Sequence, residues 1–278
     1  MDFESSNPAL NKENLYSPSD AMAGDNAATV QGVVNKTSAL VAIATVTGAL
    51  GYAYLPVTGS VLMISCIAAF VICLGASFVL MGNPRLSSTV GPVYAAVEGV
   101  FLGVMTKLLD EVLARQFAGS EGGMAALINE GGSLALPAFV ISMACVVSML
   151  ALYTTGIIRP TQRFRRIMSV LIMGAMLTYL TAFVLGLFGV SIPFFSLSSA
   201  TADPTSALIG LGICLFFLGI ASFTLILDFG RVEEIVNSGA PKYMEWYAAF
   251  GLMVTLAWIY YEALKLSFRL AILLNRRD

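Results

Sequence analysis

The 278 residues are 58% apolar and only 12% charged, with a mean hydropathy of +0.83, whereas an ordinary globular chain is roughly a quarter charged. A formal net charge of −2 excludes the basic face that nucleic-acid binding demands, and the absence of histidine removes the commonest metal ligand, the usual catalytic base and the usual switch near neutral pH. Apolar segments use up nearly the whole length, leaving no room for a separate soluble enzyme domain, so an all-α membrane protein with lipid, ions or other membrane proteins as partners is expected.

Residues 1–36 are rich in Asn, Ser, Ala and acidic groups, as in Ser5-Ser6-Asn7-Pro8 and Ser17-Pro18-Ser19-Asp20. They are expected to form a disordered tail ahead of one seven-helix transmembrane domain over 37–278. The basic start and short apolar core of a cleaved signal peptide are missing, so the first membrane helix should act as an uncleaved anchor. A helix needs about 20 apolar residues to cross the roughly 30 Å hydrocarbon layer. The chain offers that length near Thr37–Leu55, Val57–Met81, Val90–Leu109, Leu134–Ile158, Ile167–Val190, Ala207–Leu227 and Trp246–Ala271. Continuous apolar runs of this kind predict helices and not a barrel, whose strands would alternate polar and apolar over about ten residues. Only Pro56 and its neighbours separate the first two spans, which predicts a helical hairpin. Gly99 and Gly103 form a GxxxG that reads as close packing within the bundle. Cys66, Cys73, Cys145 and Cys214 all lie inside apolar runs without CxxC spacing and read as small hydrophobes.

Loop charges give the orientation, because Lys and Arg concentrate on the cytoplasmic side. A cytoplasmic amino terminus puts Arg85, then Arg159, Arg163, Arg165 and Arg166, then Arg231 and Lys242 inside. The opposite loops carry Arg115 among Asp110, Glu111, Glu121, Glu130 and Asp203. The tail residues Arg276 and Arg277 are the exception, since seven crossings would leave them outside.

A charge at membrane depth costs about 2.5–3.5 kcal/mol on insertion scales, so each such group points first to function. Glu98 interrupts the third span, Asp228 closes the sixth and Glu262 interrupts the seventh. Lys265 and Arg269 follow Glu262 at spacings of three and seven, placing all three on one stripe. Lys107, Lys265 and Arg269 lie near span ends and are expected to snorkel to the headgroups. Asp228 could pair with Arg231 one turn on, and Glu262 with Lys265 or with a group across the bundle. Two carboxylates held together in a low-dielectric bundle do not easily both ionise, so the pair titrates as a unit and senses protons without histidine. Deprotonated, it offers hard oxygen ligands suited to Ca²⁺. Spacing alone does not bring Asp228 and Glu262 together.

Three stretches carry a family likeness: Pro92-Val93-Tyr94-Ala95-Ala96-Val97-Glu98-Gly99-Val100-Phe101-Leu102-Gly103; Ile226-Leu227-Asp228-Phe229; and Gly239-Ala240-Pro241-Lys242-Tyr243 continuing through Trp246-Tyr247-Ala248-Ala249-Phe250-Gly251 to Tyr261-Glu262. In their order and their position relative to the spans, the chain resembles the Bax inhibitor-1 (YccA-like) family, particularly its bacterial branch. The resemblance implies six helices surrounding a central seventh, and a pH-sensitive Ca²⁺ leak controlled by two aspartates on the last two helices. Asp228 matches the first of these. Glu262 falls where the second is expected, one methylene longer with the same charge. Arg85 loosely matches an arginine that helps lock the closed form.

A calcium leak channel of the cell membrane, with Asp228 and Glu262 as pH sensor and ion pathway and as transient calcium ligands, is therefore the first expectation. Glu98, Arg85 and Arg231 support it, and no cofactor is implied. The alternative is a non-conducting regulator that binds another membrane protein, such as a membrane protease. An enzyme is not expected: histidine-dependent intramembrane proteolysis is excluded by composition, and Asp228 and Glu262 lack the Tyr-Asp and Gly-x-Gly-Asp contexts of an aspartyl protease. Lys265 lies too near the end of its span to suit a retinal Schiff base.

Overall fold

In hydrocarbon, backbone amides find no water and must bond to one another, so each long apolar run is driven into a helix. The computed structural model describes residues 27–117, 132–190 and 204–275. In chain order these form α1 (Val30–Tyr54), α2 (Gly59–Gly82), a 3₁₀ turn (Pro84–Leu86), α3 (Ser87–Gln116), α4 (Ala135–Thr154), α5 (Gln162–Leu187), α6 (Pro204–Asn237) and α7 (Met244–Asn275). All seven α-helices are long and apolar enough to cross a membrane. No strand occurs among the described residues.

Most helices outrun the hydropathy that predicts them, since an apolar run ends at the hydrocarbon edge while helical hydrogen bonding continues into the polar layer. At the amino end this corrects the boundary set at residue 36. α1 starts at Val30, not Thr37, because the Thr29 hydroxyl caps it by accepting the Gly32 N–H at 3.0 Å. Of the tail expected over residues 1–36, residues 1–26 lie outside the described residues, as do Glu121, Glu130, Asp203, Arg276 and Arg277. α6 runs to Asn237, well past the expected Leu227, so Asp228 and Arg231 are both intrahelical. It then ends in a Schellman turn: the Gly239 N–H donates to Val236 O at 3.0 Å and the Ala240 N–H to Ile235 O at 3.3 Å. Gly239 takes the left-handed φ of 66° that this turn requires. α4 is shorter than expected and stops at Thr154.

The chain divides into two compact units whose boundaries fall inside α3, α6 and α7. The first contains residues 27–101 and 228–254 of the described chain. Here Gly99 of α3 lies so close to α1 that a Cβ would overlap the Thr47 hydroxyl and the Ala44 carbonyl. Gly48 returns the contact, its Cβ position 3.0 Å from Gly99 O. The glycine at position 99 thus serves packing between helices of one chain. Tyr94 and Phe250 meet edge to face with ring centroids 5.2 Å apart.

The second unit contains residues 102–117, 132–190, 204–227 and 255–275 of the described chain. Leu134, at the cap position of α4, makes no side-chain bond to the helix, and of the local side chains the Ser133 hydroxyl accepts the Ala135 N–H at 3.1 Å. Asp110 of α3 completes the cap, accepting the Leu134 N–H at 2.9 Å and the Ser133 hydroxyl at 2.6 Å. Phe164 of α5 packs edge to face on Phe223 of α6, centroids 6.3 Å apart.

Candidate functional site

In the second unit, α7 turns the stripe of Glu262, Lys265 and Arg269 inward. Glu262 is 0% exposed, Lys265 6% and Arg269 1%. Lys265 and Arg269 therefore do not snorkel, contrary to the expectation from their place near the span end. Partners inside the unit replace the lost water. Lys265 donates to Glu262 Oε1 at 2.9 Å and to the Tyr179 hydroxyl at 3.0 Å. Its ammonium also lies 4.6 Å from the centroid of the Tyr261 ring and 5.0 Å from that of Tyr179. Gly210 of α6 makes room for Arg269, whose guanidinium would overlap any Cβ placed there.

Tyr179, from the middle of α5, donates its hydroxyl to Glu262 Oε1 as well. The Tyr179 ring is itself held by Phe217 of α6 at 5.3 Å and by Trp258 of α7 at 6.4 Å. Two donors thus converge on Oε1, while the second oxygen, Oε2, is buried with no hydrogen-bond partner among the described residues. A buried carboxylate oxygen without a donor is costly unless it takes up a proton, a water or a cation. Tyr179 went unnoticed in sequence reasoning. A tyrosine in an apolar span gives no sign of its direction, and only its packing against Phe217 and Trp258 aims the hydroxyl at Glu262.

In the first unit, Asp228 is 9% exposed and lines a cavity of about 170 Å³ together with Arg231, Tyr247, Leu80 and Met81. The spacing that suggested Asp228 and Arg231 as neighbours thus places both on one wall. Asp228 belongs to this unit and Glu262 to the other, and each carboxylate has a basic residue three positions on along its own helix. Glu98 is half-buried on α3, with Cys66 and Cys73 of α2 and Tyr94 as electrostatic neighbours. Arg85 stacks over the Tyr243 ring at 5.4 Å. All four cysteines are free thiols, and Cys214 alone is fully buried. No group of three or more Cys, Asp or Glu capable of holding a metal occurs among the described residues, so a cation at Glu262 would rely on carboxylate, hydroxyl, carbonyl and water oxygens.

Another buried carboxylate, Glu245, also escaped the sequence reading. It is 1% exposed at the first turn of α7 and accepts from the Thr29 N–H, the Thr29 hydroxyl and the Lys36 ammonium. A Cβ at Gly32 would collide with this carboxylate. The only advance signal is an acidic residue at a helix start, where the macrodipole favours it. No curated protein and no solved structure matches the chain. Residues 7–272 do match the family model described as Bax inhibitor 1 like, and with nearly the whole length covered this multi-pass membrane chain belongs to the Bax inhibitor 1 like family.

Proposed function

We propose that the protein is a pH-sensitive calcium leak channel of the cell membrane, not an enzyme, with its amino terminus in the cytoplasm. Protonation of carboxylates on its last two helices, Asp228 and Glu262, gates it. The observation that carries this reading is the Glu262 carboxylate, fully buried in a membrane helix, with Oε1 held by Tyr179 and Lys265 and Oε2 without a donor. This carboxylate has two protonation states. Ionised, it offers an oxygen to a passing cation; protonated, it offers none and releases its hold on Lys265. Asp228, beside Arg231 in its own cavity, supplies the second protonatable group. Opening at higher pH and closure at lower pH follow from the sign of these charges. Charge bias at the helix ends supports the orientation, with Arg159 exposed between α4 and α5 and Arg163 and Arg166 exposed on the first turns of α5.

The test is calcium entry into liposomes loaded with a calcium dye, recorded from pH 5 to pH 8 for the native chain, Asp228→Asn and Glu262→Gln. A flux that falls with pH in the native chain, and loses that dependence in the variants, is the expected result. Folded native protein without flux at any pH would sink the channel reading and leave regulation of another membrane protein in its place.

A further inference from the structure

The cavity at Asp228 is built from the ends of three helices. Leu80 and Met81 belong to the last turn of α2, Asp228 and Arg231 to the last third of α6, and Tyr247 to the first turn of α7. Helix ends of membrane-spanning segments lie at the level of the lipid headgroups, not in the hydrocarbon. Its chemistry is mixed in a particular way. Asp228 is nearly buried, whereas Arg231 is exposed and forms no ion pair with any described residue. Positions three apart on a helix hold their Cβ atoms about 5–6 Å from each other. The half-buried phenol of Tyr247 and the hydroxyl of Ser77, which donates to Cys73 O at 2.8 Å, complete the polar part of the lining.

A plain anion entering this cavity meets the Asp228 carboxylate, and a plain cation meets the Arg231 guanidinium. A zwitterion with an ammonium and a phosphate separated by a two-carbon link satisfies both. Its N–H groups donate to Asp228, and Arg231 donates to the phosphate oxygens, with the Tyr247 hydroxyl able to add one donor. The remaining wall selects between a soluble ligand and a lipid. Leu80 is 1% exposed and closes the inner side, while Met81 is 72% exposed, so the cavity opens onto the outer surface of α2. That surface continues with Phe78, also 72% exposed. It is the apolar flank along which an acyl chain would lie.

We propose that this cavity binds the headgroup of a phospholipid carrying a primary amine, phosphoethanolamine in character, with Asp228 holding the ammonium, Arg231 the phosphate, and the acyl chain running over Met81 and Phe78. A quaternary choline headgroup has no N–H for Asp228, and a glycerol headgroup has no cation. The site therefore discriminates among lipids by hydrogen bonding and not by net charge alone.

The experiment is lipid retention by the full-length protein in detergent micelles, read by native mass spectrometry with the thermal midpoint as a second readout. Phosphatidylethanolamine, phosphatidylcholine and phosphatidylglycerol are offered at equal concentration. The amine lipid should be retained at least about tenfold more than either competitor, and should raise the midpoint where they do not. Asp228→Asn and Arg231→Gln should each reduce it to the level of phosphatidylcholine, and Gly174→Ala, which faces open space on α5, should leave retention unchanged. Arg231 is exposed, so its variant keeps the test decisive if Asp228→Asn does not fold. Equal retention of the three lipids, or amine-lipid retention indifferent to Arg231→Gln, overturns the proposal. Complete displacement by glycerophosphoethanolamine would overturn the lipid assignment in favour of a soluble amine phosphate. None of these readouts involves ion flux, so the outcome does not depend on whether the protein conducts.

Discussion

Thr29 and Glu245 lie 216 positions apart and meet through two hydrogen bonds to one oxygen, the backbone N–H of Thr29 at 2.9 Å and its hydroxyl at 3.1 Å from Glu245 Oε1. Lys36 closes the other oxygen of that carboxylate, and the backbone of Ala28 donates to Ala240 O at 2.7 Å alongside. The start of α1 is thereby fastened to the start of α7 at a point where both helices have unpaired N–H groups. Glu245→Ala should cost about 1–2 kcal/mol, because it removes the shared partner of a half-buried ammonium and of two Thr29 donors at once. Glu245→Gln keeps acceptors for Thr29 and should cost less. Combined with Lys36→Met it should cost less than the sum of the two changes. Unfolding by titration with a denaturing detergent reads all three.

Helix packing makes a prediction of opposite sign at two glycines. Gly99→Ala drives a methyl into the Ala44 carbonyl and the Thr47 hydroxyl of α1. Backbone cannot give way as a flexible side chain can, so a loss of about 1–3 kcal/mol is expected. Gly174 of α5 faces open space. Alanine there should be neutral or stabilising by up to about 1 kcal/mol, the difference in helix propensity. Paired thermal melts of the two variants in micelles separate a packing glycine from one without such a role.

Apolar run length alone reveals the seven helices, because in hydrocarbon it determines both the existence and the type of each element. Their ends were less legible. Thr29 caps α1 within what reads as a polar tail, and Asp228 sits inside α6 although the apolar run stops at Leu227. The chemistry shows the same division. Glu262, Lys265 and Arg269 announce a shared stripe by spacing, and the structure buries all three. The partners that decide what Glu262 can do come from elsewhere in the chain: Tyr179 lies 83 positions away on a different helix. Position in a helical period says which side of α7 a residue occupies, and says nothing about what faces it. Lys265 was misread for the same reason, since its closeness to a span end suggested water while Tyr179, Tyr261 and Glu262 surround it.

The cap that Asp110 places on α4 is testable without reference to function. Leu134 at the cap position of α4 makes no side-chain cap bond; Asp110 takes the Leu134 N–H and holds the Ser133 hydroxyl, which in turn takes the Ala135 N–H at 3.1 Å. Asp110→Ala should destabilise the protein by about 1–2 kcal/mol, in the range of a lost helix cap. Asp110→Asn retains an acceptor and should recover most of that loss. Ser133→Ala removes one of the two bonds to Asp110 and should fall between them, as judged by melting in micelles.

Glu262 and Lys265 form a buried pair whose halves are not equivalent to remove. Lys265→Met leaves the carboxylate with Tyr179 as its one remaining hydrogen-bond donor among the described residues, and breaking one side of a buried pair costs about 3–5 kcal/mol. In the proposed channel, liposome calcium flux in Lys265→Met should depart from the native profile, because the ammonium that holds Glu262 Oε1 is gone. Tyr179→Phe should change it by a smaller step, since it removes a donor and not a charge. Adding Glu262→Gln to Lys265→Met should restore much of the stability, because the buried carboxylate that lost its cation is then neutral, while removing the pH dependence that Glu262 supplies. A double variant whose loss equals the sum of the losses in Lys265→Met and Glu262→Gln would show that the pair is not energetically coupled, and would remove Lys265 from the account of gating.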